Sequence, residues 1–93
     1  MARGAREKPG RLSEKLLAIR QALGLSQTEL LWRLGAQDRM AYNRISEFES
    51  GKGEPSLIIL LEYARVAGVC VDTLIDDDLD LPAKLPARPK HKI

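Results

Sequence analysis

The sequence predicts an all-α fold built from five short helices. Leu, Ile, Val and Ala supply most of the 44% apolar content, and they recur at the three- and four-residue spacing of helices with one buried face. Glycines follow four of these apolar segments and serines precede two of them, as expected at helix ends and helix starts. Ninety-three residues are enough for one small domain with a modest core.

Helices 1 and 2 have clear boundaries in the sequence. Helix 1 is predicted at about Leu12–Leu23 and is stopped by Gly24, and helix 2 is predicted at about Gln27–Leu34. Ser26 and Glu29 have the S-x-x-E spacing of a capping box, in which each side chain satisfies a backbone N–H of the other residue. The side chains expected to be buried are Leu12, Leu16, Ile19, Leu23, Leu30, Leu31 and Leu34.

The second half of the domain is predicted to contain three more helices. Helix 3 ends near Ser50, where Gly51 supplies a left-handed stop. Helix 4 covers about Leu57–Ala67 after a Ser56 cap, and a short helix 5 covers about Val71–Asp76. The side chains expected to be buried are Ala41, Ile45 and Phe48 in helix 3, Leu57, Leu60, Leu61 and Ala64 in helix 4, and Val71, Leu74 and Ile75 in helix 5.

Basic residues are concentrated at the two ends of the chain. Residues 1–11 hold four basic residues against Glu7, a net charge of +3, and residues 84–93 hold four basic residues and no acid, a net charge of +4. Since the whole chain has a net charge of +2, the middle carries −5. We predict a flexible basic arm at 1–10, the folded domain at 11–81, and a flexible Pro/Lys-rich tail at 82–93. Such basic ends either keep a protein soluble or contact nucleic-acid phosphates.

Several classes of protein find no support in the sequence. The longest apolar run, Leu57–Leu61, is far shorter than a membrane span, and no secretory signal follows the basic N-terminus. The single Cys70 excludes an internal disulfide and fits the cytoplasm. His91 is the only histidine, and the acidic segment 76–80 reads as a solvated helix end because it lacks the glycine and glutamate of a calcium loop. We therefore expect neither enzymatic activity nor a metal or cofactor.

The order of motifs resembles the Cro and phage-repressor-like helix-turn-helix family, also called the xenobiotic-response-element type. The resemblance rests on LSQTEL at 25–30, RISEFESG at 44–51, EPSL at 54–57 and the Ala64–Val69 pattern, and it covers roughly residues 12–76. It implies a compact five-helix lambda-repressor-like domain with its helix-turn-helix at helices 2 and 3. It further implies a sequence-specific transcriptional repressor or activator that binds double-stranded DNA, as a homodimer on a two-fold operator.

The sequence departs from the family pattern in three places. About four extra residues stand between Gly35 and Ala41. Either the loop is longer or Asp38 caps a helix 3 that begins one turn early, and we favour the longer loop. Leu31 occupies a position where the family usually has alanine, at the close approach of helices 2 and 3. Glu47 places an acid on the helix 3 face that is expected to meet DNA.

The resemblance implies that the start of helix 2, the outward face of helix 3 and the following loop contact DNA. Gln27 at the start of helix 2 is expected to meet a phosphate. Asn43 is suited to adenine and Tyr42 to a phosphate or base edge, although Tyr42 packed over the turn and Asn43 capping the helix are the alternatives. The expected DNA-contacting residues are Gln27, Arg39, Tyr42, Asn43, Arg44, Ser46, Glu47 and Lys52.

The charged members of this set have different expected partners. Arg39 and Arg44 suit phosphate or guanine, and Lys52 suits a phosphate. Glu47 is able to accept a hydrogen bond from the cytosine amine, although a glutamate in this position is more often only solvated.

Two further features of the sequence bear on function. The resemblance implies a structural ion pair between Arg20 and Glu49 that fixes helix 3 against helix 1, the alternative being two independent surface charges. Trp32 is predicted on the polar side of helix 2, where exposed tryptophans favour interfaces. Together with Glu47 and the acidic middle of the chain, Trp32 favours the alternative function, a protein-interaction module on the same fold such as the antitoxin of a toxin–antitoxin pair.

Overall fold

A computed structural model describes residues 9–86 of the protein, and this part of the chain forms five α-helices joined by loops. The helices are α1 (Leu12–Leu23), α2 (Gln27–Arg33), α3 (Asn43–Ser50), α4 (Leu57–Ala67) and α5 (Val71–Ile75). The predicted all-α, five-helix fold is confirmed. The predicted arm lies outside the described residues except for residues 9 and 10, as does the predicted tail beyond residue 86. The longest helix of the described part, α1, has 12 residues, too few to cross a bilayer.

The hydrophobic core lies around α1, which packs against α3, α4 and α5. The apolar stripe of α1 forms one wall of the core, with Leu16 and Ile19 fully buried. Tyr63 of α4 is also fully buried, and its hydroxyl lacks a hydrogen-bond partner within the described residues. Burial raises the pKa of the Tyr63 hydroxyl well above its usual value. The predicted core residues that are buried are Leu12, Leu16, Ile19, Leu30, Leu31, Leu34, Ile45, Phe48, Leu60, Ala64 and Leu74.

Three residues predicted to be buried are exposed. Ala41 precedes α3 and faces solvent, because the helix begins only at Asn43. Leu57 is 82% exposed. The Ser56 cap places it in the first turn of α4, outside the inner face that runs through residues 59, 60, 63, 64 and 67. Ile75, the last residue of α5, is also exposed. The spacing of apolar residues alone wrongly predicted that these three side chains face the core.

The loop between α2 and α3 contains the extra residues. The Ser26–Glu29 capping box that opens α2 is confirmed, with both of its hydrogen bonds present. After α2, the carbonyl of the fully buried Ala36 accepts hydrogen bonds from the N–H groups of Arg39 and Met40. The additional residues therefore form a longer turn, and Asp38 does not cap an early helix 3.

The acidic segment 76–80 is exposed, as predicted for a solvated helix end, and it is also bound to the start of α1. The Asp77 carboxylate accepts hydrogen bonds from the backbone N–H groups of Gly10 at 2.8 Å and Arg11 at 3.0 Å. These donors lower the pKa of Asp77, the Gly10 bond being the larger cause. The Arg11 guanidinium donates in turn to Asp80 at 2.7 Å. Acidic residues that follow α5 thereby hold the two residues that precede α1.

Lys15 makes a second connection between the two ends of the domain. Its side chain is only 2% exposed, and its Nζ donates to the carbonyl oxygens of Thr73 and Asp76, each at 2.9 Å. These carbonyls lie at the end of α5, where no N–H group of the same helix is available to donate to them. Lys15, on the buried side of α1, therefore donates hydrogen bonds to backbone carbonyls at the C-terminal end of α5.

Candidate nucleic-acid interface

Arg20 in the last turn of α1 contacts the last turn of α3. Its Nε donates to Glu49 Oε2 at 2.6 Å and its Nη2 donates to Glu49 Oε1 at 3.1 Å. Its remaining Nη1 donates to the Leu25 carbonyl at 3.0 Å. The side chains are 19% and 7% exposed, and the hydrogen bond to Glu49 raises the pKa of Arg20. One guanidinium thus fixes α3 relative to α1 and to the turn before α2.

Gln27, the first residue of α2, faces this ion pair. Its Nε2 donates to Glu49 Oε1 at 3.2 Å, and the residue is half-buried. The side-chain amide expected to meet a phosphate is therefore engaged with the end of α3. The backbone N–H groups at the start of α2 are still suited to binding a phosphate. A contact between this end of α2 and DNA stays a prediction.

The outward face of α3 brings together five of the predicted DNA-contacting residues. Ile45 and Phe48 face the core, which leaves the other side of this eight-residue helix directed away from the protein. The side chains of Tyr42 and Asn43 are exposed and have no hydrogen bond within residues 9–86, so neither of the alternative roles, packing over the turn or capping the helix, is observed. The exposed or half-exposed members of this surface, which we call the α3 face, are Tyr42, Asn43, Arg44, Ser46 and Glu47.

Two residues of the α3 face form an ion pair with each other. Arg44 Nη1 lies 2.6 Å from Glu47 Oε1, with side chains 44% and 39% exposed. The guanidinium also lies over the Phe48 ring, 5.2 Å from its centroid, at a distance that suits a cation–π contact. The acid that departs from the family pattern is therefore neutralised by its neighbour on the same helix.

The loop after α3 lies against this ion pair. Gly51 ends the helix with a φ of 84°, and the N–H groups of Lys52 and Gly53 both donate to the Glu47 carbonyl, at 3.0 and 3.1 Å. A Cβ at Gly53 would lie 3.6 Å from Arg44 Nη1 and 3.5 Å from Glu47 Cβ. The glycine lets the loop approach both side chains. We did not predict this contact, although the Gly-x-Gly spacing of residues 51–53 marks a close turn.

The two remaining predicted cations lie in loops on either side of α3. Lys52 is exposed in the loop after the helix, as its predicted contact with a phosphate requires. Arg39 is exposed in the loop before it, where its Nη2 donates to the Gly35 carbonyl at 3.3 Å. Within residues 9–86 there is no group of His, Cys, Asp and Glu side chains arranged to hold a metal ion.

Two comparisons relate this geometry to known proteins. A family model described as helix-turn-helix matches residues 16–74. The chain is also similar to a solved structure of the SinR protein/SinI protein complex, with a TM-score of 0.62 and 26% identity, over 72% of this chain and 62% of the matched chain. It therefore spans less than two thirds of that matched chain.

A second solved structure is similar to the same degree. It is the crystal structure of SinR, the master regulator for biofilm formation, in complex with DNA, with a TM-score of 0.60 and 27% identity, over 70% of this chain and 98% of the matched chain. A search of curated protein sequences gives no significant match. Because the family model covers more than half of the sequence, from the buried Leu16 of α1 to the buried Leu74 of α5, the chain belongs to the helix-turn-helix family of Cro-like and phage-repressor-like regulators.

Proposed function

We propose that this protein is a cytoplasmic, non-enzymatic regulator of transcription that binds double-stranded DNA sequence-specifically. The observation that carries the proposal is the α3 face, an exposed polar surface on a short helix whose end is fixed by the buried Arg20–Glu49 pair. A rigid helix with free polar side chains suits the major groove, while α2 crosses the DNA backbone. The similarity to SinR, which has been solved in complex with DNA, supports the same function.

The residues of the α3 face have different parts in this proposal. Asn43 has a free amide at the first position of the helix, which suits bidentate hydrogen bonds to adenine. Tyr42 and Ser46 offer hydroxyls to a base edge or a phosphate. Lys52 and Arg39, in the flanking loops, contribute phosphate contacts. Because the net charge of residues 12–83 is −5, non-specific attraction to DNA is weak, and the basic ends of the chain supply additional phosphate contacts.

Selection of bound sequences from random duplex DNA, at physiological salt and with the full chain, tests this function. We expect a reproducible motif, and we expect the double variant Tyr42→Ala/Asn43→Ala to lose it. Gln21→Ala is the matched control, because Gln21 is an exposed polar residue of α1 and does not belong to the α3 face. If the parent protein enriches no motif above random DNA, sequence-specific binding is wrong.

We further propose that the protein acts as a homodimer through the outer side of α4. The first five residues of α4 are all apolar, Leu57 is 82% exposed, and Ile58 is 55% exposed. An exposed apolar surface of this kind marks a protein contact. The charged residues of α4, Glu62 and Arg65, are opposite in sign and only loosely paired at 3.4 Å. Two copies related by a two-fold axis therefore meet without unpaired like charges, and they can exchange these partners.

Sedimentation equilibrium with and without DNA tests the dimer. We expect Ile58→Asp to be monomeric and to bind a two-fold operator more weakly. Trp32→Ser is the control, since Trp32 is equally exposed but belongs to α2. A parent that remains monomeric on DNA would contradict the α4 interface.

The alternative function, a protein-interaction module, rests on Trp32. This side chain is 63% exposed beside an open cleft formed with Leu25, Thr28, Glu29 and Arg33. SinR is solved in a complex with another protein, SinI. Two results together would make the interaction module, such as an antitoxin, the better proposal. The parent protein would select no DNA motif, and Trp32→Ser would abolish the capture of a protein partner.

A further inference from the structure

The Arg44–Glu47 ion pair has no evident structural purpose. An exposed pair of residues three positions apart on a helix contributes only about 0–1 kcal/mol to stability. Arg44 uses Nη1 in the 2.6 Å hydrogen bond to Glu47 Oε1. Within the described residues, its Nε and Nη2 and the second carboxylate oxygen of Glu47 have no other hydrogen bond. The pair therefore presents free donors beside a free acceptor on the α3 face.

This arrangement complements one edge of a particular base pair. In the major groove, a G·C pair presents two guanine acceptors, N7 and O6, next to the N4 amine donor of cytosine. Arginine is the side chain that best contacts guanine, and glutamate accepts from the cytosine amine. We infer that Arg44 and Glu47 act as one unit that selects a G·C base pair, an inference that rests on the proposed DNA binding.

Two contacts hold the guanidinium in place before DNA arrives. Glu47 binds it at 2.6 Å, and the Phe48 ring centroid lies 5.2 Å from it. Gly53 leaves the space beside it open, since a Cβ there would lie 3.6 Å from Arg44 Nη1. A side chain already held near its bound position loses less conformational freedom on binding. A lone carboxylate at this position would repel the DNA phosphates. The ion pair with Arg44 neutralises the charge of Glu47 and so reduces this repulsion.

Selection from random duplex DNA with the variants Glu47→Ala and Arg44→Ala tests the inference. Each variant is expected to lose the preference for G·C at the same single position of the motif, with discrimination there falling about 5- to 150-fold. Because the two residues act together, the double variant should lose little more than either single one. Glu14→Gln, which breaks the exposed Arg11–Glu14 ion pair of the same three-residue spacing outside the α3 face, is the control and should retain the G·C preference at that position. Thermal unfolding confirms that each variant is folded.

The possible outcomes separate this inference from the simpler one that Glu47 only repels the DNA phosphates. If Glu47→Ala binds all sequences more tightly by the same factor, Glu47 only repels phosphates, and the inference is wrong. An unchanged motif in both variants would also overturn it while leaving the proposed function intact. A parent protein without any motif would overturn both.

Discussion

The guanidinium of Arg20 and the carboxylate of Glu49 meet through two hydrogen bonds, although 29 positions separate them in the sequence. The contact joins the last turn of α1 to the last turn of α3. Glu49 is only 7% exposed and also accepts a hydrogen bond from Gln27. The orientation of the α3 face therefore depends on a charged pair that lies largely inside the protein and makes no contact with the exposed surface of α3.

Replacing Glu49 with alanine should be strongly destabilising. The change leaves the Arg20 guanidinium partly buried without its counter-charge, a loss of about 3 kcal/mol when residual solvent access is taken into account. A small domain has only about 5–15 kcal/mol in total, so DNA binding should fall with the folded fraction. Urea unfolding followed by circular dichroism measures the effect.

Two controls separate the buried pair from ordinary surface charge. Glu62→Ala breaks the exposed 3.4 Å contact with Arg65 and should change the unfolding free energy by less than about 1 kcal/mol. The double variant Arg20→Met/Glu49→Leu should recover part of the lost stability, since apolar residues often replace buried pairs well. Recovery should be incomplete because the Leu25 carbonyl and the Gln27 amide lose their partners. A Glu49→Ala protein as stable as the Glu62→Ala control would show that water solvates both charges.

Asn43→Ala and Lys52→Ala should affect DNA binding in different ways. The first removes a contact to a base and should cost about 1–3 kcal/mol of discrimination at one position of the motif. The second removes a phosphate contact, weakens binding to all sequences alike, and reduces the salt slope by about one. Fluorescence anisotropy with cognate and random duplexes at several salt concentrations distinguishes the two. Equal losses on both duplexes for Asn43→Ala would remove Asn43 from the base-contacting residues.

Apart from the Arg20–Glu49 pair, which the family resemblance implied across 29 positions, the features that sequence analysis predicted correctly depend on residues close together in the chain. The Ser26–Glu29 box needs only a spacing of three, and the glycine stops need only the end of an apolar stripe. The longer loop before α3 followed from counting residues back from Glu49. The position of Leu57 was wrong because the first turn of α4 has apolar residues on every side, so periodicity does not define its inner face.

Two of the contacts that sequence analysis missed join distant residues. Lys15 and Asp77 each contact residues more than fifty positions away, and neither contact changes the local pattern. Lys15 looks like an ordinary charged position on α1, and Asp77 looks like one of several solvated acids. In the candidate site, the polar α3 face was visible in the sequence, but the pairing of Arg44 with Glu47 was not.

Lys15→Met should destabilise the domain, although methionine fills the buried space well. The ammonium group donates to the Thr73 and Asp76 carbonyls. Because the Asp76 carbonyl also accepts from the Leu79 N–H at 3.0 Å, only the Thr73 carbonyl is left without a donor within residues 9–86. We therefore expect a loss of about 1–3 kcal/mol in the unfolding free energy from urea titration. Arg33→Met, an exposed position of α2, serves as the control and should have little effect. Equal stability of the two variants would show that water replaces the lysine.

Asp77→Asn should make the stability of the protein less dependent on acid pH. Because the N–H groups of Gly10 and Arg11 lower the pKa of Asp77 in the folded state, the carboxylate stabilises folding above its unfolded pKa of about 4. That contribution is lost as the pH falls through the lower folded pKa. The difference in unfolding free energy between the parent and Asp77→Asn should therefore be constant near neutral pH and shrink below about pH 4.

Urea titrations between about pH 3 and pH 7, at low and high salt, measure this difference. The neighbouring Asp78 is the matched control, because within residues 9–86 its carboxylate has no hydrogen bond comparable to that of Asp77. Asp78→Asn should leave the pH profile of the parent unchanged. High salt should reduce the Asp77 effect only in part, since it screens the charge but leaves the two backbone hydrogen bonds in place. A difference that stays constant across this pH range would mean that the amide oxygen of asparagine binds the two backbone N–H groups as well as the carboxylate does. The charge of Asp77 would then contribute nothing to the contact between the segment after α5 and the start of α1.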